Sequence, residues 1–128
     1  MHRGGTLRTG PTMKILVADD EPEILTIVSK WLSRNGHQVL TASNPQKVLQ
    51  FIDANDFDVV LLDLIMPGSS GIHLISRIHE RKPAQSIIVM SVIEDTRVAV
   101  LAAQEGIDGY LTKPIDFGRL DELLRKIA

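Results

Sequence analysis

Carboxylates gather at two places in this chain where short apolar runs end. Lys14-Ile15-Leu16-Val17-Ala18 runs into Asp19-Asp20-Glu21-Pro22, and Val59-Val60-Leu61-Leu62 runs into Asp63, with Met66-Pro67-Gly68 just beyond. Apolar runs of this length, bounded by polar and turn residues, read as buried parallel strands. A carboxylate at the end of such a strand stands at the rim of the sheet, where open α/β folds bind their ligands. Three anions meeting there repel one another, and they tolerate each other best around a hard divalent cation that takes oxygen ligands. Asp19, Asp20 and Asp63 therefore point to a magnesium site suited to phosphate chemistry.

The elements that must position these groups alternate along the chain. Strand patterns fall at Met13–Ala18, Gln38–Thr41, Phe57–Leu62, Ser86–Met90 and Asp108–Thr112. Between them lie apolar residues at helical spacing: Ile24, Ile27, Val28, Trp31 and Leu32; Val48, Phe51 and Ile52; Ile72, Ile75 and Ile78. A weakly patterned helix is expected over Asp95–Glu105, and Leu120, Leu123, Leu124 and Ile127 mark the last one. Pro22 suits a first helical turn, Asn44-Pro45 reads as a cap followed by a first-turn proline, and Ile65–Ser70 reads as a loop. Five βα units imply a doubly wound α/β fold with a five-stranded parallel sheet. The strand order 2-1-3-4-5, flavodoxin-like, places the first and third strands side by side, so Asp19, Asp20 and Asp63 meet at one switch point.

Composition narrows the function. The 128 residues fit one domain, 44% are hydrophobic, and the net charge is -2 with a pI of about 6.0. No basic field is present to hold nucleic acid directly. The absence of cysteine excludes disulfides and thiolate metal sites, and no apolar run is long enough to span a membrane. A cytoplasmic location is the expectation. Residues 1–12, with three glycines and Pro11, read as a flexible tail preceding a domain over 13–128.

The acidic pair Asp19-Asp20, the Leu61-Leu62-Asp63 segment with Met66-Pro67-Gly68 and Gly71, Ser91 at the end of the fourth strand, and Tyr110-Leu111-Thr112-Lys113-Pro114 stand in order on the strand ends. In this arrangement the chain resembles the receiver domain of bacterial two-component response regulators, over about Met13 to Ala128. The resemblance implies that Asp63 is the phosphoacceptor. Asp19, Asp20, Asp63 and the backbone carbonyl of Ile65 would hold Mg2+, with Mn2+ as a substitute. Ser91 and Lys113 would contact the phosphoryl group, Ser91 and Tyr110 would form the switch, and Lys113–Pro114 would be a cis peptide. A sensor histidine kinase or histidine phosphotransfer domain would supply the phosphoryl group. The surface from the fourth helix through the fifth strand to the last helix, with Arg97, Leu101 and Tyr110, would act on an output domain or downstream protein, including through a phosphorylation-linked homodimer. The chain would be a regulator assisting its own phosphorylation and dephosphorylation rather than an enzyme acting on other substrates.

Four positions depart from the family pattern. Val92 follows Ser91 where a small residue is usual, and its branched side chain could crowd the phosphoryl group. Ile65 and Ile93 are apolar where many relatives carry polar groups that orient attacking water, which predicts a phosphoryl-aspartate shielded from hydrolysis. Ile115 follows Pro114 where phenylalanine is common. A haloacid dehalogenase-type phosphatase would need a second Asp at position 65, and a flavin protein would need a glycine-rich phosphate loop after the first strand; neither is present. The remaining alternative is a pseudo-receiver, a protein-interaction module that is never phosphorylated. His79-Glu80-Arg81-Lys82-Pro83 reads as a solvated helix end, and His2, His37 and His73 lack metal-ligand companions at helical spacing.

Overall fold

Strict alternation of side chains along the central strands builds two cores on one sheet. The computed structural model describes residues 10–92 and 96–128. Its elements are β1 (Lys14–Ala18), α1 (Pro22–Arg34), β2 (Gln38–Ala42), α2 (Pro45–Ala54), β3 (Val59–Asp63), β4 (Ile65–Met66), β5 (Ser69–Ser70), α3 (Gly71–Arg81), β6 (Ile87–Ser91), α4 (Thr96–Gln104), β7 (Gly109–Thr112) and α5 (Phe117–Ile127). Five strands form one parallel sheet in the order β2-β1-β3-β6-β7, the order 2-1-3-4-5 expected for the long strands. Leu16, Ala18, Val60, Leu62, Ile87 and Val89 face α2, α3 and α4, whose Val48, Ile52, Leu74, Ile75, Ile78 and Ala102 complete that core. Their neighbours Ile15, Val17, Val59, Leu61, Ile88 and Met90 point the other way, against Val28 and Leu32 of α1 and Leu120, Leu123 and Leu124 of α5. Both faces are covered, so β3 and β6 are buried along their whole length and read as unbroken apolar runs.

The rim where the strands begin is tied by side chains. Asp58 donates its N–H to Lys14 O (2.8 Å) and accepts from Lys14 N through Oδ2 (2.7 Å). Asp108 repeats the clasp on β6, donating to Ile87 O (2.7 Å) and accepting from Ile87 N through Oδ2 (2.9 Å). Buried Gln85 adds a bond from Nε2 to Phe57 O at 3.2 Å. His37, uninformative in sequence, is a core residue whose Nδ1 accepts from Met13 N at 3.0 Å.

Two readings of local structure are corrected. The expected loop Ile65–Ser70 contains a small antiparallel ladder, Ile65 opposite Ser70 and Met66 opposite Ser69. Pro67 and Gly68 close it, with Gly68 at φ +91°, as a turn with proline first and a left-handed residue second requires. The fourth helix ends at Gln104, one residue before the expected Glu105, and its expected first residue, Asp95, lies outside the described residues. So do Ile93 and residues 1–9 of the expected tail.

Candidate functional site

Asp19 follows β1 directly, its N–H bonded to Ala42 O at 3.1 Å, and Asp63 is the last residue of β3, paired with Met90 of β6. Both are held in the same way. Asp19 Oδ1 accepts from Glu21 N at 2.9 Å, and Asp63 Oδ1 accepts from Ile65 N at 3.0 Å. An aspartate bonded to the N–H two residues on makes a local turn that fixes its side chain. One oxygen of each carboxylate is thereby used, and the Oδ2 atoms face inward.

Lys113 meets them there. Its Nζ lies 2.7 Å from Asp19 Oδ2, 3.0 Å from Glu21 Oε1 and 3.4 Å from Asp63 Oδ2, and the side chain is only 7% exposed. The Lys113 backbone N–H donates to Ser91 O at 2.9 Å, so the end of β6 places the residue that leaves β7. Lys113–Pro114 is cis. Ser91 is fully buried and pairs with Thr112. Tyr110 is half-buried on β7 and packs against the core on the α2–α3 side. Ile65 and Val92 leave apolar side chains 51% and 63% exposed beside Asp63 and Ser91 in the chain.

Electrostatics follow from this crowding. Burial pushes the Asp63 carboxyl up to about 6; the Ile65 N–H opposes that rise, the Asp19 charge adds to it, and Lys113 pulls it back down. Burial alone would lower the Lys113 ammonium, but its close contacts with Asp19 and Glu21, with the nearby Asp63 charge, outweigh burial and raise it. Asp19, Asp20 and Asp63 each offer a carboxylate oxygen within 4.8 Å of the others, with Asp20 exposed and the other two buried. Asp19 Oδ2 is buried without a well-angled hydrogen bond, and the Lys113 ammonium opposes its charge only as an ion contact. An all-oxygen, all-anionic set with spare lone pairs fits a hard divalent cation such as Mg2+.

The structure thus brings together Asp19, Asp20, Asp63 and Lys113. Ser91 is joined to them through the Lys113 backbone, and Ile65 through the Asp63 carboxylate. Tyr110 stands apart from that cluster on the β7 flank. Sequence reasoning missed Glu21, whose partner is 92 residues away. The only local signal was a third acidic residue directly before the helix-opening Pro22.

The sequence model of the response regulator receiver domain matches residues 15–125. The chain is 37% identical over 112 residues to the DNA-binding transcriptional regulator NtrC of Azospirillum brasilense, covering 88% of this chain and 23% of that protein. It is 33% identical over 101 residues to the alkaline phosphatase synthesis transcriptional regulatory protein PhoP of Bacillus subtilis, covering 79% of this chain and 42% of that protein. The chain therefore spans well under two thirds of these relatives. Among solved structures it is similar to a response regulator receiver domain protein from Clostridium thermocellum (TM-score 0.83, 34% identity, covering 89% of this chain and 92% of that one). It is also similar to the response regulator TrrA from Thermotoga maritima in complex with Mg2+-BeF (TM-score 0.81, 31% identity, 90% and 98%). A closely similar fold and a family match over residues 15–125 lead to one conclusion: the chain belongs to the response regulator receiver domain family, the phosphorylation-dependent signalling module of two-component systems.

Proposed function

We propose that Asp63 takes a phosphoryl group from the phosphohistidine of a sensor kinase or phosphotransfer domain. The reading is carried by the meeting of three carboxylates and one ammonium, with Lys113 Nζ 3.4 Å from the Asp63 oxygen that its local turn leaves unused. Ionised Asp63 attacks phosphorus through that oxygen. The O–P bond forms as the P–N bond breaks, and the electron pair leaves with the imidazole nitrogen. Lys113 offsets charge on the transferring oxygens, and Ser91, beside it at the end of β6, donates its hydroxyl to one of them. Asp19, Asp20 and Asp63, with the Ile65 carbonyl, would hold Mg2+ or Mn2+. A divalent ion bound there supplies charge neutralisation and alignment for the phosphoryl oxygens.

The product adds charge and acceptors at the rim. Ser91 and Lys113 follow those acceptors, which, through Tyr110, biases the α4–β7–α5 face. That face would act on an output domain, a downstream protein or a second copy of the chain. The exposed apolar side chain of Ile65 gives attacking water no polar guide, so the phosphoryl group is expected to persist. The functional unit is the domain over residues 13–128, working in the cytoplasm; among the described residues no helix is long and apolar enough to cross a membrane. Treatment with acetyl phosphate and Mg2+, followed by mass spectrometry, tests the reading. Wild type should gain one phosphate and Asp63→Asn none; an unmodified wild type would favour the pseudo-receiver.

A further inference from the structure

We propose that Glu21 is a positioning residue that holds the Lys113 ammonium in the resting state and gives it up when a phosphoryl group arrives on Asp63. This rests on the function proposed above.

Glu21 is the N-cap residue of α1, yet its carboxylate accepts no hydrogen bond from its own helix. Asn44 and Asp116, at the caps of α2 and α5, each take the usual bond from Lys47 N and Arg119 N. Glu21 forgoes that bond and reaches Lys113 instead, at 3.0 Å. Its backbone is fixed for the task, because its N–H donates to Asp19 Oδ1. It lies outside the three-carboxylate group that could hold a metal ion.

An ammonium has three N–H donors and no acceptor. In the resting protein three carboxylates surround the Lys113 ammonium: Asp19, Glu21 and Asp63. A new phosphoryl oxygen needs one of those donors. Asp19 Oδ2 is completely buried, so water cannot take the place of the ammonium there. The Asp63 contact is itself converted by the modification. Glu21 has a side chain 58% exposed, and water solvates it again once Lys113 leaves. Glu21 is therefore the partner that yields. Until it does, it competes with the phosphoryl group and sets how readily the domain turns on.

The test is calorimetric titration of beryllofluoride, a phosphoryl mimic, at saturating Mg2+, using the full chain. Glu21→Asp keeps the charge but shortens the reach, and Glu21→Gln removes the charge. Both should bind beryllofluoride about two- to fivefold tighter than wild type, the size expected for losing an exposed ion pair. Mg2+ affinity of Glu21→Asp, measured without beryllium, should stay within about twofold of wild type. In a Lys113→Ala background the Glu21 substitutions should have no effect, which a merely structural role would not predict. Equal or weaker beryllofluoride binding by the Glu21 variants, or an effect that survives Lys113→Ala, overturns the proposal while leaving the phosphoacceptor reading intact. A wild type that binds no beryllofluoride and takes no phosphate overturns both.

Discussion

Asp63→Asn should make the metal-free protein more stable, because it removes one anion from a cluster held together by one ammonium. Burial raises the Asp63 carboxyl from its ordinary 3.8 to about 6, so the folded protein resists the charged form. At about 1.4 kcal/mol per pH unit the full penalty would approach about 3 kcal/mol. The rim is open to water beside exposed Asp20 and Glu21, and screening reduces that to about 1–2 kcal/mol. For 128 residues this corresponds to a melting temperature about 4–8 °C higher. Asparagine keeps the acceptor for Ile65 N, so the local turn survives. The pH dependence has a definite sign. The folded carboxyl binds its proton more tightly than the unfolded one, so the penalty is absent below about pH 3.8, grows between there and about 6, and is complete above. Thermal melts in a chelator at pH 7.5 should show the full gain, and melts near pH 4.5 only a fraction of it. Saturating Mg2+ should narrow or reverse the difference, since wild type gains about 2.7 kcal/mol at a hundred times its dissociation constant. A variant that melts lower than wild type at pH 7.5 without metal, or a difference independent of pH, would refute the crowding reasoning.

Other expectations are more local. Asp20→Ala should weaken Mg2+ binding at least tenfold by titration while leaving the apo melting temperature unchanged or raised; unaltered affinity would remove Asp20 from the site. Ile65→Asn should shorten the life of the phosphorylated form several-fold in a radiolabel decay assay, and Ile93→Glu should do the same. Gly71→Ala should cost about 1–3 kcal/mol in denaturant unfolding, because a Cβ there would collide with the backbone of Leu64, the residue after Asp63. Gly109→Ala, where a Cβ would meet the side chain of buried Leu123 rather than backbone, should cost less. Asn44→Ala, losing the cap on Lys47 N, should cost about 1 kcal/mol and leave phosphorylation intact.

Much of this fold was legible because parallel strands buried on both faces carry continuous apolar runs, and each one here ends in a polar residue. That pattern located Asp19, Asp63 and Ser91 to within a residue of their strand ends. Asp63 and Ser91 proved to be the last members of β3 and β6, because the ladder continues to Met90 and Thr112. The Ile65–Ser70 ladder escaped notice because two-residue strands leave no period to count; Pro67-Gly68 was the only signal. The contact between Glu21 and Lys113 was invisible for a different reason. Exposed acidic residues at a helix start are common, and nothing local says which one turns away from its helix. The clasps of Asp58 and Asp108 were hidden too, since a polar residue before a strand reads as an ordinary boundary.

Those clasps have a consequence for how a signal leaves the molecule. They fasten the heel of the sheet, where β1 meets β3 and β6 meets β7, with bonds that bridge neighbouring backbones. At the toe the same strands end in loops around the acidic cluster, whose groups would exchange partners in the function proposed. Clasps of this kind at the heel resist a disturbance carried along the strands. The disturbance is then expected to run crosswise, from loop to loop along the toe, and amide hydrogen exchange should be slowest at the heel and quicken toward the acidic pocket.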